Sequence, residues 1–369
     1  MKINKLNLKN FRNYSNIEIK FNKGMNIFIG DNAQGKTNLL EAIEILALTK
    51  SHRTINNDFI KFNNSKCIIK GVIKKDKYIE KLEINYNNLD RKLLFNNSII
   101  RKVYEYISLF QVIIFTPDDL DILKGSPNIR RNLLNIELSQ ISKKYIYSYN
   151  EYNKILKLRN EFLKKFNNNS NNKIYLDILT DKLIEKAIVI YKIRNEFIDN
   201  INSKILKIYK EISDCNQLYI KYMPNLELNL NDDLDIKNKL KNIFSISFNK
   251  EINYGITLYG PHRDDFCFIL NGNNLKNYGS QGQQKLAVLS LKLAEVDIFY
   301  NYSNYYPVLL FDDIFSEFDI KKRNKILNYI NNKKIQSVIT TTDLKNISKK
   351  YLDDAEIFVV KDGKIESKV

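Results

Sequence analysis

The stretch Gly30-Asp31-Asn32-Ala33-Gln34-Gly35-Lys36-Thr37 decides how this sequence folds. It fits G-x-x-x-x-G-K-[ST], the phosphate-binding loop of nucleoside-triphosphate enzymes, which joins a strand to a helix. Residues 25–29 form a short apolar run that predicts a buried strand, and residues 38–48 carry apolar side chains at helical spacing. An ordinary glycine turn is the alternative, and the flanking pattern disfavours it.

The chemistry of phosphate binding requires these residue types. Glycines let the backbone curl so that several N–H groups point at phosphate oxygens, and the N-terminus of the following helix adds positive charge. Lys36 is expected to reach the β- and γ-phosphates of ATP, and the Thr37 hydroxyl to hold Mg²⁺.

A second part of the predicted site lies at residues 308–313, Val-Leu-Leu-Phe-Asp-Asp. The apolar run is typical of a buried parallel strand. Asp312 at its carboxyl end is expected to bind Mg²⁺, directly or through water. Asp313 is expected to orient or activate the attacking water. A strand that simply ends in two turn carboxylates is the alternative.

The segment Ser280-Gln281-Gly282-Gln283 predicts the start of a helix that runs from Gln284 to about Ile298. Ser280 is a good N-cap, and Gln283 stands three positions later, as in a capping box. The start of this helix is also a candidate anion site, but capping alone is enough to explain Ser280.

Length and composition bound the class of protein. A chain of 369 residues with 44% hydrophobic and 27% charged residues is expected to form one large or two medium domains of a soluble globular protein. No apolar run approaches the roughly 18 residues of a membrane span, and the N-terminus lacks an apolar signal core, so a cytoplasmic location is expected. The isolated Cys67, Cys215 and Cys267 and the two histidines disfavour disulfides and thiolate or histidine metal sites.

The net charge of +17 is compatible with a polyanion partner such as DNA or RNA. A chain rich in Ile, Lys and Asn throughout would also carry such a charge by compositional drift in an A+T-rich genome. Both interpretations stay open, because the lysines are spread along the chain.

The first 130 residues predict a hairpin over residues 3–29 and an antiparallel sheet over residues 66–115, with a turn at Asn96-Asn97. Arg12 in the first turn is either a phosphate contact or a solvated arginine. Residues 50–54, which include His52 and Arg53, either contact phosphate or complement the end of the loop helix. The carboxylates of residues 118–121 are interpreted as caps of a short helix after Pro117.

From residue 129 to 212 the pattern is helical, and an Asn-rich turn at 167–172 predicts an antiparallel helical hairpin whose longer helix has about 40 residues. Residues 213–255 show no clear pattern. After them comes Gly260-Pro261-His262-Arg263-Asp264-Asp265, then a strand over residues 266–270 and a two-residue hairpin signal at Asn271-Gly272.

The order of phosphate loop, Ser-x-Gly-Gln helix and Asp-Asp strand resembles that of the ATP-binding-cassette ATPases. In that family the Ser-Gly-Gln segment, here Ser280, Gly282 and Gln283, contacts the γ-phosphate held by a second protomer. Residues 316–319 resemble the family's D-loop at the dimer interface, and Thr340-Thr341-Thr342-Asp343 occupies the place of its switch segment. The chain departs from most members by a Thr in place of the switch His, and by Asp313 in place of Glu.

Those departures fit one branch, and the whole chain resembles the RecF family of bacterial recombination-mediator ATPases. The matching segments lie in order along nearly the full length: residues 10–14, 30–38, 51–54, 115–120, 124–127, 260–265, 278–285, 311–319 and 340–343. The resemblance places Gly30 through Asn38 at the nucleotide. It implies an ATP-dependent homodimer that binds gapped DNA or single-/double-strand junctions, is reset by slow, DNA-stimulated hydrolysis, and acts with RecO and RecR to load RecA. Roles in repair, replication restart and the SOS response are implied as well.

The expected fold is therefore α/β: a P-loop ATPase of ATP-binding-cassette type with a mixed sheet, plus a helical lobe with a short antiparallel hairpin. Residues 1–125 and 255–369 are assigned to the ATPase lobe, and residues 126–254 to the helical lobe. Two alternatives remain: the nucleotide-binding subunit of a membrane transporter, and the ATPase partner of a DNA-end nuclease. The Thr in place of the switch His and the helical insertion disfavour the first, and the short hairpin disfavours the second.

Overall fold

The computed structural model describes residues 1–53, 58–87, 90–166, 170–213 and 217–368. Thr54, residues 167–169 of the Asn-rich turn and Cys215 lie outside the described residues. Internal contacts divide the chain into two units: Met1–Leu120, Lys207–Cys215 and Val288–Val369 form the first, and Asp121–Leu206 and Asn216–Ala287 the second. The predicted division differs from this one because it assigned residues 121–125 and 255–287 to the ATPase lobe and residues 207–215 to the helical lobe.

The strands in chain order are β1 (Lys2–Phe11), β2 (Tyr14–Lys20), β3 (Met25–Ile29), β4 (Lys66–Lys75), β5 (Tyr78–Asn87), β6 (Arg91–Phe95), β7 (Ser98–Ile100), β8 (Val112–Phe115), β9 (Leu218–Met223), β10 (Asp265–Leu270), β11 (Asn273–Asn274), β12 (Val308–Asp312), β13 (Ser337–Thr341), β14 (Glu356–Lys361) and β15 (Lys364–Lys368). The helices are α1 (Lys36–Leu48), α2 (Val103–Ile107), α3 (Asp121–Lys124), α4 (Pro127–Ile141), α5 (Lys143–Leu163), α6 (Ser170–Ile212), α7 (Asp233–Tyr254), α8 (Leu275–Tyr278), α9 (Gln281–Ser303), α10 (Ile320–Asn332) and α11 (Lys349–Leu352).

A mixed sheet with strand order β15-β14-β3-β13-β12-β8 forms the core of the first unit. Its four central pairings, β14 with β3, β3 with β13, β13 with β12 and β12 with β8, are parallel. The strands before the phosphate loop and before Asp312 are almost wholly buried, as expected for parallel strands covered on both faces. The predicted mixed α/β sheet is thus confirmed.

The second sheet of this unit is antiparallel, with strand order β2-β1-β4-β5-β6-β7. The predicted N-terminal hairpin and the appended antiparallel sheet are therefore confirmed. Asn96 and Asn97 both have positive φ, 49° and 67°, as a tight two-residue turn requires. One assignment was wrong: β8 joins the parallel sheet beside β12, because its apolar side chains fit a strand covered on both faces.

The predicted helical hairpin is present, with 21 residues in α5 and 43 in α6. Its residues up to Leu206 belong to the second unit, and the rest of α6 belongs to the first. The side chain of Arg159 on α5 donates to Thr180 on α6 at 3.0 Å and to Glu251 on α7 at 2.6 Å. Helix α7 was missed by the sequence reading. Its signals were an Asp232 N-cap, which accepts from two backbone N–H groups, and buried residues at i, i+4 spacing.

A short antiparallel sheet of order β11-β10-β9 completes the second unit. Asn271 and Gly272 have φ of 50° and 80°, which confirms the predicted hairpin turn between β10 and β11. Among the helices that the structure describes, none combines the length and the apolar character needed to cross a membrane.

Candidate functional site

The phosphate loop connects β3 to α1, and its two glycines are required by the packing around them. A Cβ atom on Gly30 would lie 2.3 Å from the carbonyl oxygen of Val360. Gly35 has φ of +110°, and a Cβ there would lie 2.5 Å from Nδ2 of Asn13. Both positions therefore exclude larger residues, and the loop backbone is held in one conformation.

Neighbouring groups stabilise the loop by hydrogen bonds to its backbone carbonyls and to the side chain of Gln34. Asn13 Nδ2 donates to the carbonyl of Gln34 at 3.0 Å, and the Tyr14 hydroxyl donates to the carbonyl of Gly35 at 3.1 Å. The backbone N–H of Asp362 donates to Oε1 of Gln34 at 2.7 Å. With these carbonyls occupied from behind, the loop is preorganised.

The Lys36 ammonium lies inside the curl of the loop. It donates to the carbonyls of Gly30 at 2.7 Å and Asp31 at 2.8 Å, and the residue is only 7% exposed. Burial lowers the pKa of Lys36, and the charges of Asp313 and Asp312 oppose this shift. A buried cation held by carbonyl dipoles next to carboxylates is suited to meet a phosphate tail.

Asp312 and Thr37 meet directly, as the sequence predicts. The Thr37 hydroxyl donates to Asp312 Oδ1 at 2.8 Å. Thr340, which lies opposite Asp312 in the β12–β13 register, donates to the same oxygen at 2.8 Å. A hydroxyl and a carboxylate in contact provide two oxygen ligands suited to Mg²⁺. The remaining ligands of Mg²⁺ in such sites are waters and phosphate oxygens.

Thr340 was not among the predicted site residues. The only signal for it was that it stands where the cassette ATPases have their switch segment. In the structure its Oγ1 both donates to Asp312 and accepts from the backbone N–H of Asp313 at 3.0 Å. A threonine can do both because a hydroxyl is donor and acceptor at once.

Asp313 lies in the left-handed region, with φ of 49°, directly after β12. Such a conformation is uncommon in a non-glycine residue, although Asp and Asn adopt it more readily than most. Its buried Oδ1 has no hydrogen-bond partner among the residues that the structure describes. Burial raises the pKa of Asp313, with Lys36 opposing and Asp312 adding to the shift. A buried carboxylate oxygen with unused acceptor capacity is suited to accept a proton or a water.

Arg12 is not a freely solvated turn arginine, and its contact with phosphate stays a prediction. Its guanidinium makes a bidentate contact to the buried carboxylate of Glu41 on α1, at 2.9 and 2.7 Å. Ser51 donates to the same carboxylate at 2.6 Å. Burial alone would raise the pKa of Glu41, but the hydrogen bonds from Arg12 and Ser51 outweigh it and the net shift is downward. Arg12 therefore ties the first hairpin turn to the helix that follows the phosphate loop.

His52 and Arg53, which follow α1, contact side chains of that helix. His52 Nδ1 lies 2.6 Å from Oε2 of Glu44. Burial opposes protonation of His52, but the hydrogen bond and charge of Glu44 prevail and raise its pKa. Arg53 donates to Oδ1 of Asn38 at 3.1 Å. These side-chain contacts differ from simple complementing of the helix end, and phosphate contact by this segment stays a prediction.

The expectation that the carboxylates after Pro117 only cap a helix is wrong for Asp119. Its carboxylate accepts from the backbone N–H and the hydroxyl of Thr116, which precedes the turn, at 2.9 and 3.1 Å. It also pairs with the buried ammonium of Lys292 on α9 at 2.8 Å, and Lys292 donates to the carbonyl of Ile114 as well. A buried lysine requires such a partner, so Asp119 and Lys292 fix α9 against the end of β8.

The second unit holds the Ser280–Gln283 segment, where the predicted capping box is present. The backbone N–H of Ser280 donates to Gln283 Oε1 at 2.9 Å, and the N–H of Gln283 donates to Ser280 Oγ at 3.3 Å. Helix α9 begins at Gln281, three residues earlier than predicted. Ser280 and Gly282 are exposed, and a Cβ atom on Gly282 would meet nothing within 4 Å.

The charged segment at residues 260–265 builds a buried network in the second unit. Arg194 donates to the carbonyl of Pro261 at 2.6 Å and pairs with Asp264 at 3.3 Å, while Tyr222 donates to Asp264 at 2.5 Å. Tyr152 hydrogen-bonds to Nδ1 of His262 at 2.6 Å. Burial lowers the pKa of His262 to about 4, so this histidine is neutral near pH 7.

Comparisons with known proteins agree with this geometry. The sequence profile of the family described as RecF/RecN/SMC N terminal domain matches residues 2–366. The chain is 39% identical to the DNA replication and repair protein RecF of Bacillus cereus (strain G9842) and to that of Bacillus anthracis (strain CDC 684 / NRRL 3495). In both cases the alignment covers 100% of this chain and 99% of the relative.

Solved structures give the same result. A structure titled for the recombination mediator protein RecF-ATP in the RecFOR pathway superimposes with a TM-score of 0.92 at 32% identity, covering 100% of this chain and 97% of that chain. A RecF-ATPrS structure gives a TM-score of 0.91 at 32% identity, with 100% and 98% covered. An Smc head domain from Pyrococcus furiosus, 15% identical with a TM-score of 0.55, shares the fold.

Proposed function

This chain belongs to the RecF family of DNA replication and repair proteins, and we propose that it is an ATP-dependent DNA-binding protein whose two copies pair around ATP. The observation that carries the proposal is the contact between Thr37 and Asp312 beside a buried Lys36 and the left-handed Asp313. Such a constellation matches the needs of a nucleoside triphosphate and its metal ion.

The nucleotide is held by the loop Gly30, Asp31, Asn32, Ala33, Gln34, Gly35, Lys36, Thr37 and by Asn38. Lys36 exchanges its carbonyl partners for phosphate oxygens, and Thr37 and Asp312 hold Mg²⁺. When bound, Mg²⁺ neutralises charge on the phosphates. The fit is supported by the braced loop carbonyls and by the hydroxyl–carboxylate contact, which places two oxygen ligands at one point.

Asp313 is the residue proposed to orient the attacking water. Its buried Oδ1 offers acceptor capacity, and its raised pKa brings it closer to that of a general base working near neutral pH. An aspartate reaches less far than a glutamate, which suits weak turnover. We propose that hydrolysis is slow, is stimulated by DNA, and resets the paired state.

Pairing is proposed to bring Ser280, Gly282 and Gln283 of each copy to the triphosphate held by the other. The support is that this segment satisfies its own caps and still presents an exposed helix N-terminus. Gly282 adds to it, since no neighbour within 4 Å requires a glycine there. Glycine early in a helix costs up to about 1 kcal/mol relative to alanine, and close approach of a ligand would explain it.

The DNA partner is proposed to be a gapped duplex or a single-/double-strand junction, with RecO and RecR as protein partners and loading of RecA as the outcome. The support is that the related RecF structures are described as a recombination mediator of the RecFOR pathway. The net charge of +17 supports a polyanion partner. A cytoplasmic location follows from this role.

Sedimentation velocity tests the proposal directly. The chain alone should sediment as a monomer, ATP with Mg²⁺ should shift it to a dimer, and gapped duplex should form a heavier complex only with ATP. An intact duplex of the same length is the matched DNA. A monomer at saturating ATP and DNA would contradict the proposal.

A further inference from the structure

The antiparallel sheet of the first unit turns one face inward and the other outward. On β1 the residues Leu6 and Leu8 are buried, while Lys5 and Lys9 alternate with them. On β4 buried and outward positions alternate in the same way. Every second outward position is a lysine, namely Lys66, Lys70 and Lys74. The register places both sets on the same face, because inward Leu8 lies opposite inward Ile69.

The neighbouring strands extend this pattern. β2, β5 and β6 add Lys20, Lys81 and Lys92 at outward positions. The outward carboxylates that the structure describes on these five strands are Glu18 and Glu83. On β1, Lys2 lies opposite outward Lys74 and belongs to the same face. Nine lysines and two carboxylates therefore share this face, a larger basic excess than the 59 basic and 42 acidic residues of the whole chain.

We call the outward side chains of β1, β2, β4, β5 and β6 the lysine face. Two of its lysines have carboxylate partners, Lys5 with Glu18 at 2.7 Å and Lys70 with Glu83 at 2.9 Å. The other seven have no carboxylate partner among the described residues. Two of these seven, Lys2 and Lys74, lie directly opposite each other in the β1–β4 register. Like charges in opposite positions destabilise a sheet, which argues for an external anion that compensates them.

From this arrangement we infer that the lysine face binds the phosphate backbone of duplex DNA, an inference that rests on the proposed function and names the surface that carries out its DNA binding. Lys66, Lys70 and Lys74 follow each other at about 13 Å along β4, a row of about 27 Å. A row of that length runs along about eight base pairs. The face has ammonium groups but no exposed aromatic ring at its described outward positions, so it suits phosphates rather than stacked bases.

The test is a triple variant, Lys9→Gln, Lys66→Gln and Lys81→Gln, which removes three unpaired charges from three adjacent strands. Binding to an intact 40-base-pair duplex is measured with ATP between 50 and 200 mM salt. Each lost phosphate contact lowers the slope of log K against log salt by about 0.9. The ratio of wild-type to variant affinity should therefore be about 40-fold larger at 50 mM than at 200 mM salt.

The matched control is Lys182→Gln, Lys237→Gln and Lys250→Gln, three exposed lysines of the second unit with the same change in net charge. It should keep the wild-type slope. A second variant with arginine at residues 9, 66 and 81 keeps the charge and should also keep the slope. Nucleotide affinity measured on all four proteins reports whether each is folded.

The outcomes separate the inference from the proposed function. An unchanged slope in the glutamine face variant, or an equal loss in the control, would overturn the inference while the wild type still binds DNA. Loss in the arginine variant would overturn it too, because phosphate contacts depend on charge. Failure of the wild type itself to bind any DNA would overturn both.

Discussion

The phosphate loop and the Ser280–Gln283 segment are both helix starts with polar side chains, yet they are built in opposite ways. The loop is braced by other elements: Asn13, Tyr14 and Asp362 bind its carbonyls or its glutamine. Its glycines are dictated by neighbours at 2.3–2.5 Å. The Ser280–Gln283 segment caps itself, and its glycine has open space around it.

The two segments differ in whether contacts within the chain explain their residue types. Residues of the loop are explained by contacts within one chain, so the loop forms a site by itself. Gly282 is not explained by any neighbour within 4 Å, and close approach of a ligand or another copy is the reason proposed for it. Variants in the loop should accordingly affect ATP binding, and variants in the Ser280–Gln283 segment should affect pairing.

The largest effect is expected for Lys36→Ala. Removing a buried, hydrogen-bonded cation from an anion site costs about 4 kcal/mol, roughly a 10³-fold loss in ATP affinity. Pairing and turnover should be lost with it. Isothermal titration calorimetry measures the affinity, and Lys50→Ala, an exposed lysine just after the same helix, is the control. Wild-type affinity in Lys36→Ala would remove the site assignment.

Asp313→Asn should lose turnover but keep binding and pairing. A general base contributes roughly 10²- to 10⁴-fold to a rate, so single-turnover hydrolysis should slow by about that factor while ATP still gives a dimer. Asp312→Asn is a useful companion, because it should also slow turnover and, by disturbing Thr37 and Thr340, raise the Mg²⁺ concentration that turnover requires. Unchanged hydrolysis in Asp313→Asn would remove its proposed role.

The pH dependence of hydrolysis also tests whether Asp313 is the general base. Burial raises the pKa of Asp313, so it takes up its proton at a higher pH than an ordinary aspartate does. Because only the ionised carboxylate can accept a proton, the rate should fall as pH drops through that raised pKa, before ordinary aspartates titrate. A single-turnover pH profile measures it, and an acid limb centred at or below pH 3.8 would argue against Asp313.

Ser280→Arg changes the Ser280–Gln283 segment and should weaken pairing without changing ATP binding. Arg at this exposed position keeps the first unit intact, so ATP affinity of the monomer should stay within about twofold. The bulk at a partner-facing helix start should weaken the ATP-dependent dimer by at least about tenfold. Sedimentation equilibrium measures both species. Ser280→Ala, which removes the cap without adding bulk, separates steric block from loss of about 1 kcal/mol of helix stability.

Sequence reasoning located the loop, the Asp312 strand and the capping box because each is a local pattern with a fixed spacing. It placed the long helix of the hairpin for the same reason. It could not predict contacts between distant segments: the Arg12–Glu41 pair, the Asp119–Lys292 pair and the Thr340–Asp312 contact join residues 28 to 173 positions apart. No local periodicity encodes such pairs, which depend on how strands order themselves in a sheet.

The missed helix α7 and the misplaced β8 have different causes. α7 begins with an N-cap and places Ile236, Leu240 and Phe244 at i, i+4 spacing, a signal that polar neighbours obscured. β8 has the apolar character of a buried strand, but only the sheet order shows that its partner is β12. Local patterns thus identify elements, while pairing needs the folded chain.

The smallest and most discriminating change is Gly282→Ala. A Cβ at this position meets nothing, and alanine is the better helix former, so the free energy of unfolding should rise by about 0.5 kcal/mol. Urea unfolding measures this, with Gly35→Ala as a contrast that should destabilise because its φ is +110° and its surroundings are closed. If a second copy or a nucleotide approaches the helix start closely, the same methyl group should weaken the ATP-dependent dimer even though it stabilises the monomer. A variant that gains stability and pairs as well as the wild type would mean that Gly282 has no close partner, and the contrast between the two helix starts would then lose its functional meaning.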